Sequence, residues 1–216
     1  MDGLSGCLVL VVGPSGAGKD SILRETALRL SGNRRFVFPR RFVTRMADRS
    51  AEDHVTISEM EFALAINDEA FALWWRAHGN GYGIGRSIDS DLAAGRTVVI
   101  NCSRTVIADA MHRYTNLLVV EVTAPPEVLH ERIVSRGRES EAEAWLRVGR
   151  EVPAQPPGVP ILKIDNAGLL DSAVCLFHST LLRLQDPVAN PGGCALDSEN
   201  EQKDGNDDRR GLIILE

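Results

Sequence analysis

One short glycine-rich stretch, residues 13–21 with the sequence GPSGAGKDS, constrains this chain more than any other. It follows an apolar run at 7–12 and precedes a helix-like run at 21–28, so the order is strand, tight turn, helix. Glycines let backbone N–H groups turn inward on a phosphate, and the helix N-terminus adds partial positive charge. We therefore predict a phosphate-binding loop made of Gly13, Pro14, Ser15, Gly16, Ala17, Gly18, Lys19, Asp20 and Ser21.

The charged residue after Lys19 departs from the usual pattern of such a loop. Asp20 stands where a Ser or Thr normally meets magnesium. A carboxylate among phosphates is repulsive unless a cation lies between them, so we expect Asp20 to help hold Mg²⁺, directly or through water. The predicted strand ending at Asn101 offers no acidic residue for that task. In the alternative, Asp20 caps the helix and Ser21 meets the metal, which makes both residues candidate metal ligands.

Strand and helix patterns alternate along the rest of the chain. Strands are predicted at 36–38, 97–101, 117–122 and 161–165, and helices at 87–94, 126–136, 141–151 and 169–184. After a phosphate loop, this alternation predicts an α/β three-layer sandwich with a parallel central sheet and helices on both faces. The length of 216 residues fits one domain with inserted subregions.

A subregion of the chain at about 36–90 does not follow the simple alternation. Arginines interleave with Phe and Val at 40–45, which predicts an extended segment with one basic face. Ser58 and Glu61 form a capping-box pattern that opens a helix. Residues 72–77 alternate like a strand that then dissolves into glycines at 78–85. Within that strand the neighbours Trp74 and Trp75 must point to opposite faces, with at least one in the core.

Composition excludes several classes of protein. A net charge of −6 argues against a general nucleic-acid surface, although local arginines still permit a compact anionic substrate. No run approaches the roughly 18 apolar residues of a membrane span, and no leader pattern opens the chain, so we expect a cytoplasmic protein. The four cysteines form no CxxC pair, and Cys7 and Cys175 lie in apolar runs, where we expect buried, reduced thiols.

Low apolar content marks the last part of the chain. From residue 186 the composition shifts to Pro, Gly, Asn, Asp and Glu, and 197–210 contains no apolar side chain. Such a segment buries too little surface to offset its ordering entropy, so 186–216 is predicted to be a disordered tail.

Five motifs, in their order and spacing, resemble the guanylate kinases over most of residues 5–185. They are GPSGAGKDS, VTR at 43–45, EDHVTISEMEF at 52–62, HGNGYG at 78–83 and RGR at 136–138. The departures concern the acceptor. Leu73 replaces the Glu that reads the guanine edge in that family, His54 replaces a Tyr that touches the acceptor phosphate, and Asn101 and Ser103 replace an acidic pair. An apolar Leu leaves the guanine edge unpaired at a cost of about 1–3 kcal/mol or more.

The whole combination looks more like a second family, the ribose 1,5-bisphosphate phosphokinases of bacterial phosphonate breakdown. Its distinguishing features are GKDS, Glu52-Asp53-His54, the HGN-YG stretch and Asn101-Cys102-Ser103-Arg104. That resemblance implies ATP- and Mg²⁺-dependent phosphorylation of α-D-ribose 1,5-bisphosphate to 5-phospho-α-D-ribose 1-diphosphate. An acceptor with two phosphates and no base suits a site that has exchanged carboxylates for basic and neutral hydrogen-bonding groups.

The resemblance also assigns roles to individual residues. Phosphoryl transfer depends on positioning and charge neutralisation. Lys19 should bridge the donor phosphates, while Arg136 and Arg138, with Arg147, should close a lid at about 136–150. Acceptor phosphate should be clamped by Arg45, helped by Arg41 or Arg49. The full set of predicted acceptor-binding residues is Arg45, His54, His78, Tyr82, Ser103 and Arg104.

Three points stay open at this level. A nucleoside monophosphate kinase is the first alternative, with Leu73 against it, and a non-catalytic binding module is the second, with Lys19 in an intact loop against it. His78 fits a structural turn as well as an acceptor contact, because glycines surround it. A homodimer is neither indicated nor excluded by the sequence.

Overall fold

The computed structural model of the chain describes residues 6–45, 54–135, 141–149 and 156–185. The strands are β1 (Leu8–Val12), β2 (Phe36–Val37), β3 (Arg41–Val43), β4 (His54–Thr56), β5 (Phe71–Ala77), β6 (Asn80–Gly85), β7 (Thr97–Asn101), β8 (Leu117–Thr123) and β9 (Ile161–Asp165). The helices are α1 (Lys19–Arg29), α2 (Glu59–Asn67), α3 (Ser87–Ala93), α4 (Ile107–Arg113), α5 (Pro126–Val134), α6 (Glu141–Val148) and α7 (Leu170–Leu184), with a 3₁₀ turn at Arg104–Val106.

A five-stranded sheet in the order β2-β7-β1-β8-β9 forms the centre of the molecule, and all its paired strands are parallel. Helices α1 and α7 pack on one face, and α3 and α4 on the other. The α/β three-layer sandwich predicted from the sequence is therefore confirmed. Strand β1 is central, so the loop that follows it opens at the carboxyl edge of the sheet, between the ends of β7 and β8.

Strand β1 shows why the central strands read as continuous apolar runs. Its five side chains are fully buried, with Val9 and Val11 facing the α1 and α7 side and Leu10 and Val12 facing the opposite side. Both faces of a parallel sheet are covered by helices, so no position on the strand tolerates a polar residue. This burial holds the start of the phosphate loop in a rigid frame.

A second sheet, in the order β4-β3-β6-β5, lies within the predicted 36–90 subregion, whereas β2 belongs to the central sheet. The prediction that strand structure dissolves after Ala77 is wrong, because β6 pairs along most of β5. Its glycines have a packing reason. A Cβ at Gly81 would lie 2.7 Å from the ring of Phe62, and one at Gly83 would lie 2.5 Å from the ring of Phe71.

The two tryptophans of β5 confirm the prediction of opposite faces. Trp75 is buried and stacks on Tyr82, with ring centroids 5.3 Å apart. Trp74 is 45% exposed and meets Phe62 edge-on on the side of α2. Leu73 is buried on the same side as Trp75, within the apolar cluster that the 3₁₀ turn and α4 also join.

The cysteine prediction is only half right. Cys7 is buried, but it is disulfide-bonded rather than reduced. Cys175 is exposed on α7, where its Sγ accepts a hydrogen bond from Arg29. The apolar run around Cys175 is a helix, and its stripe of buried residues passes on the other side. Within the described ranges, no helix combines the length and apolar character that a membrane crossing requires.

The capping box predicted at Ser58 is present at the start of α2. The Ser58 hydroxyl accepts a hydrogen bond from the Glu61 backbone N–H at 3.1 Å, and the Glu61 carboxylate accepts one from the Ser58 N–H at 2.7 Å. These bonds, the backbone N–H first, hold the pKa of Glu61 below its ordinary value of 4.5. The bonds to the Glu61 carboxylate therefore contribute fully above that pH and lose their contribution as pH falls through the folded-state pKa.

We expect Ser58→Ala to lower the free energy of unfolding by about 1 kcal/mol at pH 7, measured by urea denaturation. The difference from the wild type should shrink as pH falls towards 3, because the Ser58 side chain also helps to lower the pKa of Glu61, and that contribution is lost when the carboxylate is protonated. Ser31→Ala, at an exposed serine just after α1, is the matched control and should change stability by less than about 0.5 kcal/mol. An effect of Ser58→Ala that stays constant down to pH 3 would contradict this reading.

Candidate active site

The phosphate loop connects β1 to α1 through glycines with positive φ. Gly13 has φ of 144° and Gly18, the N-cap of α1, has φ of 88°. A Cβ on Gly13 would lie 2.1 Å from the carbonyl oxygen of Val122, and one on Gly18 would lie 2.4 Å from Nδ2 of Asn166. No side chain caps the N-terminus of α1. The first-turn N–H groups of this helix are therefore available to an anion.

Lys19 folds back over the loop that precedes it. Its Nζ donates hydrogen bonds to the carbonyl oxygens of Gly13 at 2.7 Å and Pro14 at 2.8 Å. The ammonium group thus lies over the cradle. A phosphate placed there would attract the ammonium more strongly than neutral carbonyls do, because a full negative charge replaces a dipole.

Asp20 makes contacts that the sequence did not predict. Its Oδ1 accepts a hydrogen bond of 2.6 Å from Nδ2 of Asn101, which ends β7 opposite Val11. The same oxygen lies 3.5 Å from a guanidinium nitrogen of Arg41, at the start of β3. Arg41 also donates to the backbone oxygen of Asn101 at 3.4 Å. These three residues, Asp20, Asn101 and Arg41, are called the loop-edge cluster below.

A cavity of about 400 Å³ opens beside the loop-edge cluster. Its walls come from α1, from residues 38–41 and from the end of β7. Leu23, Ala27 and Val99 give it an apolar side, while the loop-edge cluster supplies charged and amide groups at one end. This is the composition expected of a small-molecule site: mostly apolar walls with a few polar groups that fix orientation.

Cys102 reports on the electrostatics of this edge. Burial raises the pKa of its thiol to about 12, so it stays neutral at physiological pH. The positive charges of Arg41 and Lys19 oppose that rise. Arg41 and Lys19 are therefore both close enough to this thiol to influence its pKa.

Three of the predicted acceptor residues lie in or next to the small sheet. His54 is buried and pairs with Arg41 across β3 and β4, and Tyr82 pairs with Val43 across β3 and β6. Paired residues and residues two apart share a face of a sheet, so Arg41, His54 and Tyr82 point to the same side. Arg45 lies two residues beyond Val43, the last residue of β3.

His78 and Ser103 both take part in local backbone structure, His78 in a hairpin turn and Ser103 in the cap of a 3₁₀ turn. His78 is exposed at the tip of the β5–β6 hairpin, where its φ is 52°, and its carbonyl oxygen accepts a hydrogen bond from Nδ2 of Asn80 at 3.0 Å. Ser103 caps the 3₁₀ turn by accepting from the Thr105 N–H at 3.3 Å. Their acceptor contacts remain predictions.

Arg104 pairs with a carboxylate, and its contact with the acceptor remains a prediction. Its guanidinium donates to the carboxylate of Glu121, and both side chains are largely buried, with 12% and 14% exposed. Glu121 lies on β8 opposite Val12, so a carboxylate does stand at the loop, on the strand that flanks β1 on the other side from Asn101. A single charged letter inside the apolar run 117–122 was the signal for it.

Asn166 and Arg132 support the loop and were missed by the sequence reasoning. Asn166 is buried just after β9, and its Nδ2 donates to the carbonyl oxygen of Ala17 at 2.8 Å. Arg132, on α5, donates to the Asn166 carbonyl oxygen at 2.9 Å, and its second terminal nitrogen is buried and finds no acceptor among the described residues. Both residues lie far from the loop along the chain; Asn166 contacts the loop directly, and Arg132 acts through Asn166.

The arginine side chains of the predicted lid lie outside the part of the chain that the structure describes. Arg136 and Arg138 lie outside the described residues, as does the side chain of Arg147, together with Arg49 and the whole 186–216 tail. Helix α6 of the predicted lid is described, and Trp145 stacks on His130 of α5 with ring centroids 4.3 Å apart. Helix α6 is therefore held against α5.

Comparison with solved structures shows which fold this is. A guanylate kinase from Anaplasma phagocytophilum superimposes with a TM-score of 0.62 over 82% of this chain and 85% of that chain, at 13% sequence identity. Together with the loop and Lys19, this likeness defines a P-loop protein of the guanylate kinase-like fold.

Curated relatives define the family within that fold. Three proteins named ribose 1,5-bisphosphate phosphokinase PhnN are similar over most of the chain. The one from Brucella melitensis is 43% identical over 172 residues, 80% of this chain and 90% of its own length. Those from Acidiphilium cryptum and Rhodopseudomonas palustris are 47% and 48% identical, over 84% and 76% of this chain and 96% and 81% of their own. The chain belongs to the ribose 1,5-bisphosphate phosphokinase family. No family model matches it.

Proposed function

We propose that this protein transfers the γ-phosphate of ATP to α-D-ribose 1,5-bisphosphate and forms 5-phospho-α-D-ribose 1-diphosphate and ADP, as a step of phosphonate breakdown in the cytoplasm. The observation that carries the substrate assignment is the make-up of the acceptor side. Arg41, with Asn101, stands at the edge of the loop, while Leu73, at the position of the guanine-reading Glu, is buried in the apolar core. Such a site offers charge to a phosphate, and the position from which a Glu reads the base in guanylate kinases holds no carboxylate.

The transfer needs no general base. An oxygen of the 1-phosphate is already ionised at neutral pH, so it attacks the γ-phosphorus directly. A bond forms between that oxygen and the γ-phosphorus, and the bond to the β–γ bridging oxygen breaks with its electron pair leaving on ADP. Lys19 and the α1 N-terminus bind the donor phosphates, and Arg136 and Arg138 are proposed to cover the transferring group.

The residues at the start of α1 fit a magnesium ion. Mg²⁺ in kinases is held by one or two protein oxygens together with substrate phosphates, and it neutralises charge on the transferring group. Asp20 and Ser21, in the first turn of α1, are the residues proposed to hold it. In the parts of the chain that are described, no cluster of three or more His, Cys, Asp or Glu forms a metal cage. The proposal is therefore a site completed by ATP, rather than a site formed by the protein alone.

The test incubates the protein with magnesium-ATP and, separately, ribose 1,5-bisphosphate and GMP, and follows ADP release and the product by phosphorus NMR. We expect ribose 1,5-bisphosphate to be turned over at least about 10²-fold more efficiently, because GMP leaves its guanine edge unpaired. Faster turnover of GMP would establish a nucleoside monophosphate kinase. Absence of turnover with both acceptors would favour the non-catalytic binding module.

A further inference from the structure

The loop-edge cluster has the form of an anion site that is already filled by the protein. The Asp20 carboxylate receives an N–H from Asn101 at 2.6 Å and lies 3.5 Å from the Arg41 guanidinium. A carboxylate oxygen and a phosphate oxygen bind the same partners, namely N–H donors and positively charged groups. The donors that hold Asp20 are therefore the donors that a phosphate oxygen would use.

Arg41 lies on the acceptor side of the site rather than on the donor side. It belongs to the small sheet, on the same face as His54 and Tyr82, whereas the donor cradle belongs to the central sheet. Its guanidinium nevertheless reaches the end of β7 and lies 3.5 Å from Asp20, the residue that follows Lys19 in the phosphate loop. A phosphate bound by Arg41 would thus lie beside the donor phosphates, which is where an attacking oxygen must be.

The buried position of Arg41 strengthens this reading. Its side chain is only 14% exposed, while that of Asp20 is 41% exposed. A guanidinium has a rigid fork that matches phosphate, and partial burial reduces the screening of its charge by water. Asp20 is the more accessible partner, so it is the one that can move aside when a substrate enters.

The resemblance already implies that Arg41 helps to bind the acceptor phosphate; we propose that the Asp20 carboxylate occupies the place of that phosphate and competes with it for Arg41 and Asn101. This inference rests on the proposed function and adds to it a group of the protein that competes with the acceptor. Once the Asp20 carboxylate has left Arg41, it is available at the first turn of α1 for the Mg²⁺ that accompanies ATP. Binding of the donor and binding of the acceptor would be coupled, because each draws Asp20 away from Arg41.

The test measures binding without catalysis. Calorimetric titration with ribose 1,5-bisphosphate, and separately with inorganic phosphate, is done without ATP and with EDTA. We expect Arg41→Gln to weaken binding of both anions by about 10- to 100-fold, the value of a charge-assisted hydrogen bond. Asp20→Asn should tighten it by about 3- to 10-fold, because the competing charge is removed while the shape is kept.

Two further variants serve as controls, one for the shape of the Arg41 head group and one for loss of an arginine elsewhere on the surface. Arg41→Lys keeps the charge without the fork, so its affinity should fall between those of the wild type and Arg41→Gln. Arg96→Gln changes an exposed arginine that pairs with Asp91 before β7, and it should leave binding within about twofold of the wild type. Thermal unfolding of each variant shows whether it is folded.

Each outcome decides between the two claims. Unchanged phosphate affinity in Arg41→Gln, or weaker binding in Asp20→Asn, would overturn the role of Arg41, even if ribose 1,5-bisphosphate is turned over. Opposite shifts in the two variants with inorganic phosphate would support it, even if another sugar phosphate proves to be the acceptor. Failure of the proposed function is read separately, from turnover of ribose 1,5-bisphosphate by the wild type.

Discussion

Replacing Lys19 with Met is expected to lower kcat by on the order of 10²- to 10³-fold. In the ligand-free protein the ammonium group is held by the carbonyl oxygens of Gly13 and Pro14, at 2.7 and 2.8 Å, so it already lies over the phosphate cradle. Met keeps the length and the apolar stem but removes the charge that offsets the developing charge on the transferring phosphate. Steady-state kinetics with saturating magnesium-ATP measures the effect.

Lys19→Arg is the companion variant for this prediction. It keeps the positive charge, but its planar head is larger than an ammonium group, so its activity should be intermediate. The free energy of unfolding should fall by about 2 kcal/mol in Lys19→Met, since the hydrogen bonds to the Gly13 and Pro14 carbonyl oxygens are lost. A folded Lys19→Met protein with kcat within tenfold of the wild type would show that the charge is not used in transfer.

Gly13→Ala is expected to have the largest effect on the fold of the loop. The added Cβ would lie 2.1 Å from the carbonyl oxygen of Val122, a backbone atom of β8 that has no freedom to move away. The φ of 144° at Gly13 adds further strain for a residue with a side chain. We expect a loss of about 3 kcal/mol or more in the free energy of unfolding, with loss of ATP binding.

Gly32→Ala is the matched control, because this glycine also has positive φ, at 85°, but has no atom within 4 Å of an added Cβ. Only the strain of the backbone applies there, at about 1–2 kcal/mol. Urea denaturation and calorimetric binding of ATP are measured for both variants. Equal destabilisation by the two substitutions would show that the contact with Val122 does not restrict the loop.

The parts of the structure that could be predicted are those encoded by neighbouring residues. The loop and its flanking elements follow from the single stretch 7–28, and the capping box at Ser58 needs only the positions 58–61. The opposite faces of Trp74 and Trp75 follow from the period of a strand. Each of these patterns carries its physical cause within a single turn or strand.

The errors share one cause, which is contact between distant parts of the chain. The glycines of β6 indicated a loop, but Gly81 and Gly83 are required because aromatic rings from α2 and β5 lie against the strand. The partner of Arg104, Glu121 on β8, was likewise not predicted, because it lies on a different strand. Cys175 was placed inside because its neighbours are apolar, although its own side of the helix is exposed.

The sequence by itself determined that a P-loop containing Lys19 follows a buried strand. It also determined that Leu73 replaces the guanine-reading carboxylate. Those facts need only local spacing and the resemblance of short motifs. Tertiary structure alone decided what Asp20 touches, because Asn101 lies 81 positions and Arg41 lies 21 positions away along the chain. Parallel strands must cross over through helices, and so the residues that meet at the carboxyl edge of a sheet come from distant segments.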